Sequence, residues 1–180
     1  LAKYQYPGRD LAFLGILSTM MIPAPVVIVP NYIMAYHFGL TDTTLGLILP
    51  GIATGFAVFL LRQAFQSVPS DYLDAGRIDG AGELRMFFTI CLPMIKPSLS
   101  ALAIFAFMGT WNEFLWPLVL INSADKRTLP LAIANFKGEY FTEWGQVLAM
   151  SVLTMLPVVV FFLVFRRNFM QGVALSGIKG

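Results

Sequence analysis

Glu113 is the residue whose type and position most demand an explanation. It is the only charged residue within four long apolar stretches, at 11–36, 43–61, 97–124 and 144–165. An ionised carboxylate deep in a bilayer is strongly unfavourable unless it is paired, protonated or facing water, which makes an intramembrane acid a candidate functional group. Trp111 and Asn112 precede it and Trp116 follows. Aromatic faces and hydrogen-bonding groups together are the surface that sugars meet through ring stacking and hydroxyl bonds. Two readings stand side by side: Trp111, Asn112 and Glu113 line a substrate pathway, or Asn112 and Glu113 lie nearer the outer interface and hold helices together.

Other chemistry is excluded by what the sequence lacks. No Gly-x-x-x-x-Gly-Lys-Ser/Thr run occurs, so the chain does not hydrolyse nucleotide through a P-loop. His37 is the single histidine and Cys91 the single cysteine. That rules out His/Cys zinc sites, the usual Ser-His or Cys-His catalytic pairs, and a disulfide within the chain. We therefore expect no catalytic residue, no metal site and no bound cofactor.

The second notable constellation is Asp74-Ala75-Gly76-Arg77-Ile78-Asp79-Gly80-Ala81, followed by Ile90-Cys91-Leu92-Pro93 and Pro97. Ser70 is placed to cap a helix, with Asp71 and Asp74 where the helix dipole favours acids. If that helix runs through Gly80, the i, i+3, i+4 spacing gathers Ala75, Gly76, Asp79 and Gly80 on one side, a face almost without side-chain bulk. Gly76 and Gly80 each cost a helix about 1 kcal/mol relative to Ala, and close approach of a partner's surface would compensate. Gly80-Ala81-Gly82 also reads as the end of one helix and the start of a second, Glu83 to Thr89.

The elements that position these residues follow from hydropathy. Hydrophobic residues make up 57% of the chain and charged ones only 12%, a membrane-protein composition. Each apolar stretch approaches or exceeds the roughly 20 residues that a helix needs to cross a hydrocarbon core. None alternates as a barrel strand would, so the fold class is all-α. Lys3, Arg9, Arg62, Arg77, Arg85, Lys96, Arg166, Arg167 and Lys179 fall on one side of these spans, and Lys126, Arg127 and Lys137 on the other. The positive-inside rule puts the first group, and with it both chain ends, in the cytoplasm. The net charge of +2 gives no reason to expect a nucleic-acid partner.

Pro23, Pro25 and Pro30 should kink or break the first span, and Pro157 interrupts the fourth. Gly51 and Gly55, four apart, permit close helix contact. Residues 122–143 form an extracytoplasmic segment whose apolar island, 129–136, suits a short interfacial helix. The chain begins at Leu1 with no signal-peptide pattern before its first span, and we expect an N-terminal part to be missing.

These residues resemble the inner-membrane permease subunits of binding-protein-dependent ABC importers. That family's cytoplasmic signature runs Glu-Ala-Ala, two residues, Asp-Gly-Ala, then Ile or Val, Leu-Pro and a later Pro. Asp74 stands here for the Glu and Gly76 for the second Ala. Tyr6-Pro7-Gly8-Arg9, Trp111-Asn112-Glu113-Phe114, Thr128-Leu129-Pro130-Leu131 and Gly177-Ile178-Lys179-Gly180 are similar to the carbohydrate-importing branch, of the maltose and glycerol-phosphate type.

The resemblance implies a MetI-like polytopic helix bundle, a single transmembrane domain over residues 1–180 that lacks two N-terminal spans. Its spans would lie at about 11–36, 43–65, 97–121 and 144–165, with a cytoplasmic coupling segment at 66–96. It implies an inner-membrane half-pore for sugar uptake, with a second permease, identical or different, as its other half. Two cytoplasmic ATPases would bind the ATP and Mg, and an external solute-binding protein would deliver the substrate. Asp74, Ala75, Gly76, Arg77, Asp79, Gly80, Ala81, Leu92 and Pro93 would couple to the ATPase. An ion-coupled secondary transporter, with Glu113 as its coupling carboxylate, is the competing expectation.

Overall fold

Proline and glycine divide this chain into short helices. The computed structural model describes residues 1–136 and 144–176, and the side chains of all of these except 135 and 167–176. In chain order the helices are α1 (Arg9–Thr19), α2 (Ala24–His37), α3 (Thr44–Ile48), α4 (Gly55–Ser67), α5 (Ser70–Ile78), α6 (Glu83–Met86), α7 (Leu92–Met94), α8 (Lys96–Trp111), α9 (Leu115–Leu120), α10 (Leu129–Asn135) and α11 (Trp144–Ser176). No strand is present among the described residues.

The first apolar stretch is broken between Thr19 and Ala24, where Pro23 caps α2 and Pro25 occupies its first turn. Those positions suit a residue without an N–H. Pro30 and Pro157, by contrast, lie inside α2 and α11 without ending them. The expected interruption at Pro157 is thus corrected: α11 is continuous, and the segment Trp144–Arg166 is long and apolar enough to cross a membrane alone. Three further pairs, α1 with α2, α3 with α4, and the α6–α7 run with α8, pass the same test only when each pair is taken as one bent span.

The chain divides into two compact units. One comprises residues 1–21, 54–105 and 165–180, the other residues 22–53 and 106–164. Each apolar stretch is shared between them.

In the first unit α1 and α4 are joined by Arg62. Its guanidinium lies 3.8 Å from the centre of the Phe13 ring, bonds Asp10 at 2.8 Å and donates to the Leu1 carbonyl at 3.1 Å. Gly55 opens α4 against α1, where a Cβ would lie 2.7 Å from Met20 Cγ. Gly51, its partner in the expected small-residue pair, faces open space. Ala64, Val68 and Ile95 form one small core with Phe65, Leu92 and Leu99 around it. Leu73, Met86 and Cys91 form a second, with Phe65, Ala81 and Ile90.

In the second unit Ala35, Leu120, Ile121 and Leu131 form the core, covered by Tyr32, Leu40, Leu47, Phe114 and Trp116. A clamp built on Asp42 closes it. One carboxylate oxygen accepts the backbone N–H groups of Asn122 and Ser123 at 3.0 and 2.9 Å, and the other accepts the Ser123 hydroxyl and Lys126 Nζ. Asp42 sits at φ 55°, a left-handed conformation that Asp tolerates better than most residues. The short helix expected in the loop is α10. Residues 137–143, including Lys137, lie outside the described residues, as do the side chain of Arg167 and the closing run 177–180.

Candidate functional site

The segment after α4 folds as a helical hairpin, and the sequence explains its turn. Helix α5 stops at Ile78, Asp79 is its C-cap, and Gly80 follows at φ 75°. The Ala81 N–H reaches the Gly76 carbonyl at 2.9 Å and the Gly80 N–H reaches that of Arg77 at 3.0 Å. This is a Schellman closure, which favours glycine at the left-handed position. The expected helix through Gly80 is therefore corrected. Ser70 is likewise the first residue of α5 rather than its cap: Pro69 holds the cap position and no side chain bonds there.

The second arm is α6, a π-helical turn at Phe87–Cys91, and α7. The widened turn lies just before Pro93, which has no N–H to offer the Thr89 carbonyl. Another break follows, and α8 leaves at 75° to the second arm, with Pro97 in its first turn.

Gly76 is buried, and its smallness is used within the chain. A Cβ there would lie 3.0 Å from Met86 Sδ and 3.1 Å from Ile90 Cδ1. The approach that compensates for this glycine is that of the second arm, where the sequence suggested an external partner. Asp74, Ala75, Asp79 and Gly80 face outward, and Ala81 is half-buried against the Leu73 core. Leu92 packs on the Ala64 core and Pro93 is exposed.

Charge on the hairpin is organised by Arg77. It bonds Asp74 at 2.9 Å and Glu83 at 3.2 Å, linking the two arms, and the other Glu83 oxygen accepts the Tyr4 hydroxyl. The Tyr4 hydrogen bond, then Arg77, holds the Glu83 carboxyl below its ordinary range, and the same bond to Glu83 raises the Tyr4 phenol. Asp79 makes no side-chain bond among the described residues. Two apolar side chains of the hairpin have almost no cover, Ile78 at 87% exposure and Leu84 at 77%.

The second candidate site lies in the other unit. Helix α8 ends at Trp111 and α9 begins at Leu115, so Asn112, Glu113 and Phe114 interrupt an otherwise apolar stretch. Glu113 Oε1 accepts the N–H groups of Leu115 and Trp116 at 3.1 and 3.2 Å. The carboxylate thus caps the second helix, satisfying donors that lipid could not. Trp111 donates Nε1–H to the Thr154 carbonyl at 3.0 Å and stacks on Phe107, which stacks on Phe161. Asn112 donates to the Met108 carbonyl at 2.8 Å. The amide oxygen of Asn112 and the second oxygen of Glu113 have no partner among the described residues.

His37 is exposed at the end of α2 beside Tyr36. No cluster of metal-ligating side chains occurs among the described residues. The Tyr4–Glu83 bond and the Asp42 clamp were invisible to spacing, because their partners stand about 80 positions apart.

The family described as "Binding-protein-dependent transport system inner membrane component" matches residues 2–174. The chain belongs to this family of inner membrane components. Among curated relatives, it is 40% identical over its whole length to the arabinooligosaccharides transport system permease protein AraQ of Halalkalibacterium halodurans, covering 64% of that protein. It is 37% identical over 96% of its length to the sn-glycerol-3-phosphate transport system permease protein UgpE of Pectobacterium atrosepticum, covering 62%. With the diacetylchitobiose uptake system permease protein NgcG of Streptomyces coelicolor the identity is 38%, over 93% of this chain and 57% of that one.

The chain spans less than two thirds of the length of these relatives. Among solved structures, a bacterial ABC transporter involved in the import of the acidic polysaccharide alginate matches with a TM-score of 0.81. The identity is 23%, over 93% of this chain and 64% of that one. That likeness establishes the helical fold, and the family match makes the chain an inner membrane component.

Proposed function

We propose that the chain forms half of the membrane pathway of an ATP-driven, binding-protein-dependent carbohydrate importer, and that the α5–α7 hairpin is where a cytoplasmic ATPase docks. One observation carries this reading. Ile78 and Leu84 stand almost bare on a hairpin that also exposes Asp74, Asp79, Glu83 and Arg85. Exposed apolar side chains on an element this rich in charge are poorly suited to lipid and well suited to a protein interface. Asp79, without a side-chain bond among the described residues, would supply a charged contact at its rim. Gly76 and Leu92 serve from inside, Gly76 letting the arms close, and Leu92 with the exposed Pro93 sets the junction with α8.

The names of the relatives support carbohydrate or a polyol phosphate as cargo, since those proteins are described as serving arabinooligosaccharides, diacetylchitobiose and sn-glycerol-3-phosphate. The unpaired oxygens of Asn112 and Glu113 offer acceptors to hydroxyl groups along the pathway. The distribution of charge supports the orientation. Lys3, Arg9, Arg62, Arg77, Arg85, Lys96 and Arg166 all belong to the first unit, and Lys126 and Arg127 to the second. The residues of the first group would face the cytoplasm. Two ATPase subunits, a second permease and an extracytoplasmic solute-binding protein complete the machine, and ATP with its Mg is bound by the ATPases. Closure of the ATPases would move the hairpin as a lever on α4 and α8.

The test is Asp79→Arg in the full-length permease, reconstituted with its ATPases and binding protein. The variant should reach the membrane and lose most uptake, because charge reversal at a rim opposes docking. Uptake at the wild-type rate would overturn the docking reading.

A further inference from the structure

The hairpin is covalently continuous with α4 on one side and α8 on the other, but α1 has no such link. Besides its packing on α4, α1 is joined to the hairpin through segment 1–7, which leads into α1 through the Gly8 cap. Three side chains tie that segment down. Arg62 of α4 holds the Leu1 carbonyl at 3.1 Å. Lys3 Nζ donates to the carbonyls of Gln66, at 3.5 Å, and Val68, the carbonyl-rich end of α4 where a cation is favoured. Tyr4 donates to Glu83, whose other oxygen is held by Arg77. Tyr4 is the one of these ties that reaches the second arm. Between the segment and the hairpin lies a cavity of about 260 Å³, lined by Lys3, Tyr4, Phe65, Leu73 and Met86 among others. The segment therefore bridges the hairpin's inner face without filling it.

We propose that residues 1–7 are a transmission strap, with Tyr4 as the positioning residue that pins it to Glu83, so that movement of the hairpin is delivered to α1 as well as to α4 and α8. The chain of bonds runs from Tyr4 through Glu83 and Arg77 to Asp74. All four side chains are exposed, so the bonds add little to stability; their value is in fixing the strap to the arm that moves. This inference rests on the docking reading above and adds a third helix to those the hairpin drives.

The test uses the full-length permease in its assembled transporter, with transport and ATP hydrolysis measured together. Tyr4→Phe keeps the ring and removes only the donor; Glu83→Gln weakens the acceptor. Each should lower the substrate moved per ATP hydrolysed by about two- to fivefold, the range of one exposed charge-assisted bond. The double variant should be no worse than the more affected single one, as expected for two ends of one link. ATPases should co-purify normally.

An unchanged ratio in Tyr4→Phe and in the double variant overturns the strap. So does strict additivity of the two substitutions, or loss of the assembled complex in Tyr4→Phe, which would make Tyr4 a folding residue. If Asp79→Arg transports normally, the docking reading fails first. If Asp79→Arg uncouples while Tyr4→Phe does not, docking stands and the strap alone is wrong.

Discussion

At the scale of single residues, burial decides what each small or charged side chain is for. Gly76 and Gly80 look equivalent in the sequence, yet one admits Met86 and the other turns the chain at a positive φ. Glu113 has two oxygens in different circumstances, one spent on the α9 N–H groups and one without a partner among the described residues. The pathway and structural readings of this acid are therefore compatible, and two substitutions separate them. Glu113→Gln keeps a capping oxygen and removes the charge, so the assembled complex should survive while transport changes. Glu113→Ala removes the cap as well and should lower the apparent melting temperature of the complex, in keeping with the 0.5–2 kcal/mol that cap losses cost, roughly. Equal melting temperatures for the two variants would dismiss the capping role.

At the scale of elements, the helices other than α8 and α11 are short and their ends are where the polar chemistry sits. The Asp42 clamp is the clearest case outside the hydrophobic spans. The Ser123 hydroxyl first, then the backbone N–H groups of Ser123 and Asn122 and the Lys126 ammonium, hold this carboxyl well below the usual carboxylate range. A lowered pKa means that the clamp's contribution is fully present above the unfolded value, about 4, and is lost as pH falls towards the folded one. Asp42→Asn should therefore melt lower than wild type at pH 7, with the gap narrowing as the medium is acidified. Thermal unfolding of the purified full-length complex from pH 7 to pH 3 checks this, and a gap that widens in acid would contradict it. The sequence made the hairpin legible because Gly80 and the acids around α5 are local signals. It did not reveal the internal use of Gly76, since helical spacing says which residues share a face but not what that face meets. Pro157 misled for a related reason: its ring constrains φ locally, whereas the surrounding apolar run keeps α11 helical on both sides.

At the scale of the whole molecule, family and helical class were readable from hydropathy and from the signature at residues 74–97, whereas the long-range ties were not. Bonds such as Lys3 to Val68 or Asp42 to Ser123 join positions that no periodicity relates. The division of lysine and arginine between the two units leads to a labelling experiment on the full-length chain. Cys91 is buried, so it should stay silent towards a membrane-impermeant thiol reagent. Arg127→Cys should react in intact cells, and Arg85→Cys only after permeabilisation. The reverse pattern would invert the orientation and with it the docking proposal.

The π-helical turn at Phe87–Cys91 has a geometric consequence of its own. Met86 and Cys91 both point into the core beneath α5, although five positions along an ordinary α-helix advance about 140° past a full turn and would set them on nearly opposite sides. The extra residue acts as a phase shift. Upstream of it the run packs beneath α5, and downstream Leu92 and Ile95 pack against α4. One strip of chain thus answers two rhythms, and any reader counting turns at a constant period loses the beat at Phe87.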